Sequence, residues 1–146
     1  MKAIFLTAAA LLSTVALTAP IPVKAENTTP LRRLLETREC FGCDLTGVNL
    51  KGAHLIGVDL RKANLQGANL EGANLEGADL TGANLKSANL TDTFASGTTF
   101  ENANLTNANL SDANLHNAQV DGAVMIGTNL NGADGFDINL GIGGEE

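Results

Sequence analysis

The chain has no tryptophan, no tyrosine and only five phenylalanines in 146 residues. A core of ordinary type draws much of its buried area from such side chains. Their scarcity excludes one and points to a thin core assembled from small, alike parts, since leucine and alanine supply most of the apolar content. Basic residues are also few, nine against sixteen acids, for a net charge of −7. That balance argues against partners rich in phosphate, whether nucleic acid or an anionic membrane. Cysteine is limited to Cys40 and Cys43 in "CFGC". One CxxC without nearby histidines falls short of a four-ligand zinc site. The strand–helix setting of a thioredoxin-type motif does not follow it either. A structural disulfide, two packed thiols, a redox-active pair and a metal site all remain open for these two residues. Also missing are a P-loop, a GxGxxG fingerprint and any Ser-His-Asp set that the spacing could bring together. No enzyme chemistry and no cofactor is therefore expected.

The first 25 residues differ from the rest. Lys2 is followed by the apolar run "AIFLTAAALLSTVALTA" and then "PIPVKA". The small residues Val23 and Ala25 before Glu26 fit a signal-peptidase site, and the apolar run is short for a membrane span. The expectation is an exported chain with no stable membrane insertion after cleavage. Cleavage removes Lys2 and Lys24 and no acid, so the charge moves from −7 to −9.

What is abundant is a five-residue repeat, "ANLQGANLEGANLEGADLTGANL" at 63–85. Every fifth residue from 45 to 90 is leucine, and the phase runs on to Leu140 without insertion. A small residue, mostly alanine, lies two before each centre, with asparagine or aspartate between them. In extended backbone, residues two apart face the same side. Ala and Leu therefore point inward, Asn points outward, and the next pair must turn the chain. Of the nineteen corner positions from 47 to 137, eleven are Gly and six Asn or Asp, leaving Lys62 and Ser87. Those residue types tolerate the positive φ that a type II turn needs. Equal sides and equal corners make a coil, and stacked coils satisfy one another's backbone at about 4.8 Å. Outward asparagines then align as ladders.

The motif A-(N/D)-L-x-G resembles the pentapeptide-repeat family, over about 43–142. "RECFGCDLTGVNL" is similar to the start of exported cyanobacterial members. The resemblance implies an all-β solenoid, a right-handed quadrilateral β-helix of about five coils with twenty residues per coil. Residues 26–39 are expected to form a linker and a short N-terminal capping α-helix, with Thr29 as N-cap and Pro30 in the first turn. Leu31, Leu34 and Leu35 are expected to share the face that lies on the first coil. Cys40 and Cys43 keep inward phases at that junction. The β-helix is expected over 40–142 and a frayed tail over 143–146. Its last coil is an exposed edge, so homodimerisation there is a further expectation.

Taking every fourth pentad together sorts outward residues by wall. One wall collects His54, Ile56, Phe94, His116 and Phe136, and two of its centres are Ala95 and Gly135 instead of leucine. Phe94 and Phe136 either rotate inward beside the small centres through a bulge, or stand outward as an apolar contact patch. The two histidines lie three coils apart, too far to share a metal. The leading expectation is a non-enzymatic module of the periplasm or thylakoid lumen that binds an unknown protein partner through a wall. Two alternatives stand beside it. One is an acidic β-helix that mimics DNA and acts on a topoisomerase, as another branch of the family does, although export argues against it. The other is a thiol-redox or stress-responsive protein using Cys40 and Cys43.

Overall fold

The computed structural model describes residues 29–135. The expected signal peptide, Phe136 and the expected tail over 143–146 lie outside the described residues. A single helix, α1 (Pro30–Thr37), opens the described chain. Pro30 sits where a first turn lacks an acceptor for its missing N–H, and Thr29 accepts the Arg32 N–H as N-cap. The helix ends at Arg38, whose left-handed backbone (φ 61°) lets its N–H donate to Leu34 O at 3.0 Å. Leu34 is buried and Leu31 is partly buried against the core. Leu35 corrects the expected stripe, because it is 56 % exposed. Leu34 and Leu35 point about 100° apart on the two edges of the stripe, so a helix that turns Leu34 to the core leaves Leu35 outside.

From Glu39 to Asp134 the chain is a regular series of three-residue sides and two-residue corners. Parallel bridges join each outward residue to the one twenty positions on, giving four ladders that begin at Glu39, Asp44, Asn49 and His54. The hydrogen bonds repeat with the same step. Leu65 N–H donates to Asn84 O at 2.8 Å, Gly67 N–H to Lys86 O at 2.9 Å, and Asn84 N–H back to Ala63 O at 2.9 Å. Ala68 N–H donates to Leu65 O at 3.0 Å and closes the corner between them. The second corner residue has positive φ at every described corner from Gly42 to Gly132, including Lys62 and Ser87 at 57°.

Leucine centres from 45 to 115 are at most 3 % exposed, and the alanines from Ala63 to Ala113 are sealed between them. The exceptions repack within a turn. Ala95 and Phe100, centres of neighbouring sides, are both fully buried, so a deficit on one side meets an excess on the next. Thr93 and Thr98 replace alanine, and their buried hydroxyls donate to Leu90 O and Leu75 O at 2.8 and 2.7 Å. No buried side-chain polar atom is left without a partner among the described residues.

The two ends differ. At the start, Arg38 Nη1 donates to Ile56 O at 2.8 Å. Elsewhere that carbonyl position accepts a corner N–H from the preceding turn, as Glu76 O does from Gly57. The guanidinium thus stands in for a turn that α1 replaces. At the other end, Gly135 corrects the expected pentad phase. It should be an inward centre, yet it is exposed and left-handed at φ 78°. A Cβ there would fall 2.6 Å from the His116 Cα. The chain leaves the regular path at this glycine, and Val120, Met125 and Leu130 below it are only partly buried.

Candidate functional site

The fourth ladder carries His54, Asn74, Phe94, Asn114 and Asp134, with Ile56, Glu76, Ser96 and His116 on the corner beside it. The structure thus brings His54, Ile56, Phe94 and His116 onto one surface. Phe94 decides between the two sequence readings. It keeps its bridges to both neighbours, and its N–H donates to Ala73 O at 3.0 Å. Its ring is 51 % exposed while Ala95 turns inward, so no bulge forms. The space that would draw the ring inward is instead offset by Phe100 in the same turn. Ile56 is 45 % exposed on the corner above.

Polar groups around Phe94 are incompletely paired. Asn74 Oδ1 accepts the Glu76 N–H at 3.0 Å. Asn114 Oδ1 accepts from Ser96 Oγ at 2.9 Å and from the His116 N–H at 3.2 Å. In the neighbouring wall one amide binds the next, as Asn129 Nδ2 binds Asn109 Oδ1 at 2.8 Å. Each such bond runs back to the residue twenty positions earlier, so Phe94 leaves the Asn114 NH2 without an acceptor and His54 does the same for Asn74; neither NH2 group finds a partner among the described residues. His116 Nε2 lies 3.1 Å from Asp134 Oδ2.

Other sequence-level candidates lie elsewhere. Cys40 and Cys43 form a disulfide that closes the first corner, with both residues buried. Among the described residues no group of three or more His, Cys, Asp or Glu side chains could hold a metal ion. An exposed cluster that single-residue reasoning missed lies on that first corner. Phe41 is 51 % exposed, with Arg61 and Lys62 at 5.6 and 5.7 Å from its ring centroid. The twenty-residue spacing from 41 to 61 was the available signal. Arg61 also reaches Asp59, and this bond holds the Asp59 carboxyl below its ordinary range. The Thr46 hydroxyl does the same for Asp44. Charge is segregated along the axis, for no Lys or Arg follows Lys86.

Four parallel ladders at a twenty-residue step, leucine inside and glycine or asparagine at the corners, define a β-solenoid of five-residue units. The family model for pentapeptide repeats matches in eight copies over residues 43–82, 83–119 and 103–134, and the chain belongs to that family. Members of the family form right-handed quadrilateral β-helices. A solved pentapeptide repeat protein of the Arabidopsis thaliana thylakoid lumen is 37 % identical, over 69 % of this chain and 70 % of that one, with a TM-score of 0.66. Another, from the cyanobacterium Cyanothece 51142, is 33 % identical over 73 % of this chain and 92 % of its own, with a TM-score of 0.61. No curated protein matches the chain. Among the described residues no helix is long and apolar enough to cross a membrane.

Proposed function

We propose that this chain is a non-enzymatic interaction module that binds a protein partner through the Phe94 wall. One observation carries the reading: a half-exposed phenylalanine stands in a hydrogen-bonded polar ladder while a smaller residue fills the core behind it. Exposed apolar groups rimmed by unpaired polar ones mark contact surfaces. Residues 1–25 act as a signal peptide, and the mature chain works in the periplasm or thylakoid lumen. The similarity to a thylakoid-lumen protein supports the second compartment. The mature fold has about five coils, with α1 as its cap and the buried Cys40–Cys43 disulfide as a structural staple. A C-terminal coil whose centres are only partly buried offers a second contact between copies.

The acidic stretch beyond Lys86 favours one second reading, a DNA-mimicking wall that acts on a topoisomerase. Export separates such a wall from its target, so it ranks below the first. Burial of both sulfurs ranks the thiol-redox reading lower still.

The test is affinity capture from lumenal or periplasmic extract with residues 26–146 as bait, beside a folded Phe94→Ser variant. The module reading expects a stoichiometric partner that the variant loses. Equal capture by both baits would refute a role for the wall.

A further inference from the structure

From the order of residues on the Phe94 wall we infer that one partner it fits is a second copy of itself, laid antiparallel. This rests on the reading of that wall as a contact surface. A two-fold axis lying across the wall reverses the order of levels and keeps each ladder facing its own counterpart. Phe94 is the middle of the five residues on its ladder. It therefore meets the partner's Phe94 at the axis, an aromatic pair that gains beyond its buried area. Asn74 meets Asn114 of the other copy on both sides, and both have amide NH2 groups unpaired among the described residues and so able to bond across the contact. His54 meets Asp134, an imidazole against a carboxylate. On the adjoining corner Glu76 meets His116, and Ser96 meets its own copy. Every level of the ladder is chemically matched, as an isologous contact requires, while on the corner the counterpart of Ile56 lies outside the described residues.

The other three walls fail the same operation. The Glu39 ladder centres on Asp79, which would face its own carboxylate. The Asp44 ladder centres on Asn84 and sets Asp44 against Val124. The Asn49 ladder is asparagine throughout, with neither an apolar centre nor opposite charges at its ends. The wall is three residues wide and five levels tall, about 10 by 24 Å at ordinary strand spacings. That is a few hundred Å² per copy, below the roughly 800 Å² of a standard stable interface. The pairing is accordingly weak and concentration-dependent, with dissociation in the range of about 10 µM to 1 mM.

Sedimentation equilibrium of residues 26–146 over that concentration range tests it. The expected result is a monomer–dimer equilibrium that Phe94→Ser weakens at least tenfold. Glu76→Lys should weaken it by about five- to tenfold, since the Glu76–His116 contact occurs twice. Adding His116→Glu to Glu76→Lys should restore it, which a merely structural effect would not do. Phe94→Cys should cross-link to itself on oxidation, because the axis sets the two positions face to face. A monomer at every concentration overturns the inference. So does a dimer that Phe94→Ser leaves intact and Phe94→Cys does not trap, which would place the contact at the C-terminal coil. If self-pairing fails while Phe94→Ser still loses a captured partner, the wall reading stands and only the choice of partner falls.

Discussion

Replacing Phe100 by leucine, Ala95 by leucine, and both together probes how the core tolerates its one large irregularity. Ala95 and Phe100 are fully buried centres separated by a single corner. Alanine plus phenylalanine carries about the same number of side-chain carbons as two leucines, so the pair conserves volume within its turn. Phe100→Leu alone removes about three buried carbons at about 0.8 kcal/mol each, or about 2 kcal/mol. Ala95→Leu alone adds three carbons to a filled layer and should cost about 1–3 kcal/mol. The double variant restores the repeat's own residues and should lie within about 1.5 kcal/mol of the parent. The coupling is then about 2–3 kcal/mol, far above the roughly 0.5 kcal/mol scatter of independent sites. Urea titrations of the four proteins, followed by far-UV circular dichroism, give the cycle directly. Additive effects would refute this compensation, and with it the packing cause that keeps Phe94 outside.

Three further outcomes are expected. Ser87→Gly should stabilise the fold by about 0.5–1 kcal/mol, because it relieves left-handed backbone at φ 57° and gives back part of the gain as chain entropy. Gly122→Ala should destabilise it by about 1 kcal/mol, since its backbone is left-handed at φ 69°, where a Cβ is strained, and an unchanged thermal midpoint would contradict this. The carboxyls of Asp44 and Asp59 are held below their ordinary range by the Thr46 hydroxyl and by Arg61. Their contribution is thus complete above the unfolded value near pH 4 and is lost as pH falls through the lower folded value. Melting curves from pH 5 down to pH 2.5 should decline less steeply for Asp59→Asn than for the parent.

Most of the architecture was legible because one short rule is written nineteen times over. Two-residue alternation placed Leu and Ala inside, and the glycine and asparagine corners took the backbone sign that the structure shows, even at Lys62 and Ser87. The misses share a physical cause: a repeat predicts what its own turns do and says little about where they stop. Helical spacing put Leu31, Leu34 and Leu35 on one stripe, but how the helix rolls onto the first coil decides which edge of that stripe is covered, and it covers Leu34 and leaves Leu35 out. Gly135 keeps the phase in sequence yet turns left-handed against His116, a tertiary approach that no local pattern encodes. On the candidate wall, the ruler put His54, Ile56, Phe94 and His116 together. It could not tell whether Phe94 faces in or out, because that depends on how Phe100 fills the layer behind it. The unpaired amides of Asn74 and Asn114 were likewise hidden, since the pentad pattern places an asparagine on the wall and does not say whether its NH2 reaches an acceptor in the turn before it.

The central claim is that the Phe94 wall is where the protein is touched. Maleimide labelling of Phe94→Cys under native conditions measures it most directly, first in dilute buffer and then in extract from the compartment where the protein resides. Fast labelling in buffer and marked protection in extract are predicted, with Phe100→Cys protected in both. Equal labelling of Phe94→Cys in buffer and extract would contradict the claim.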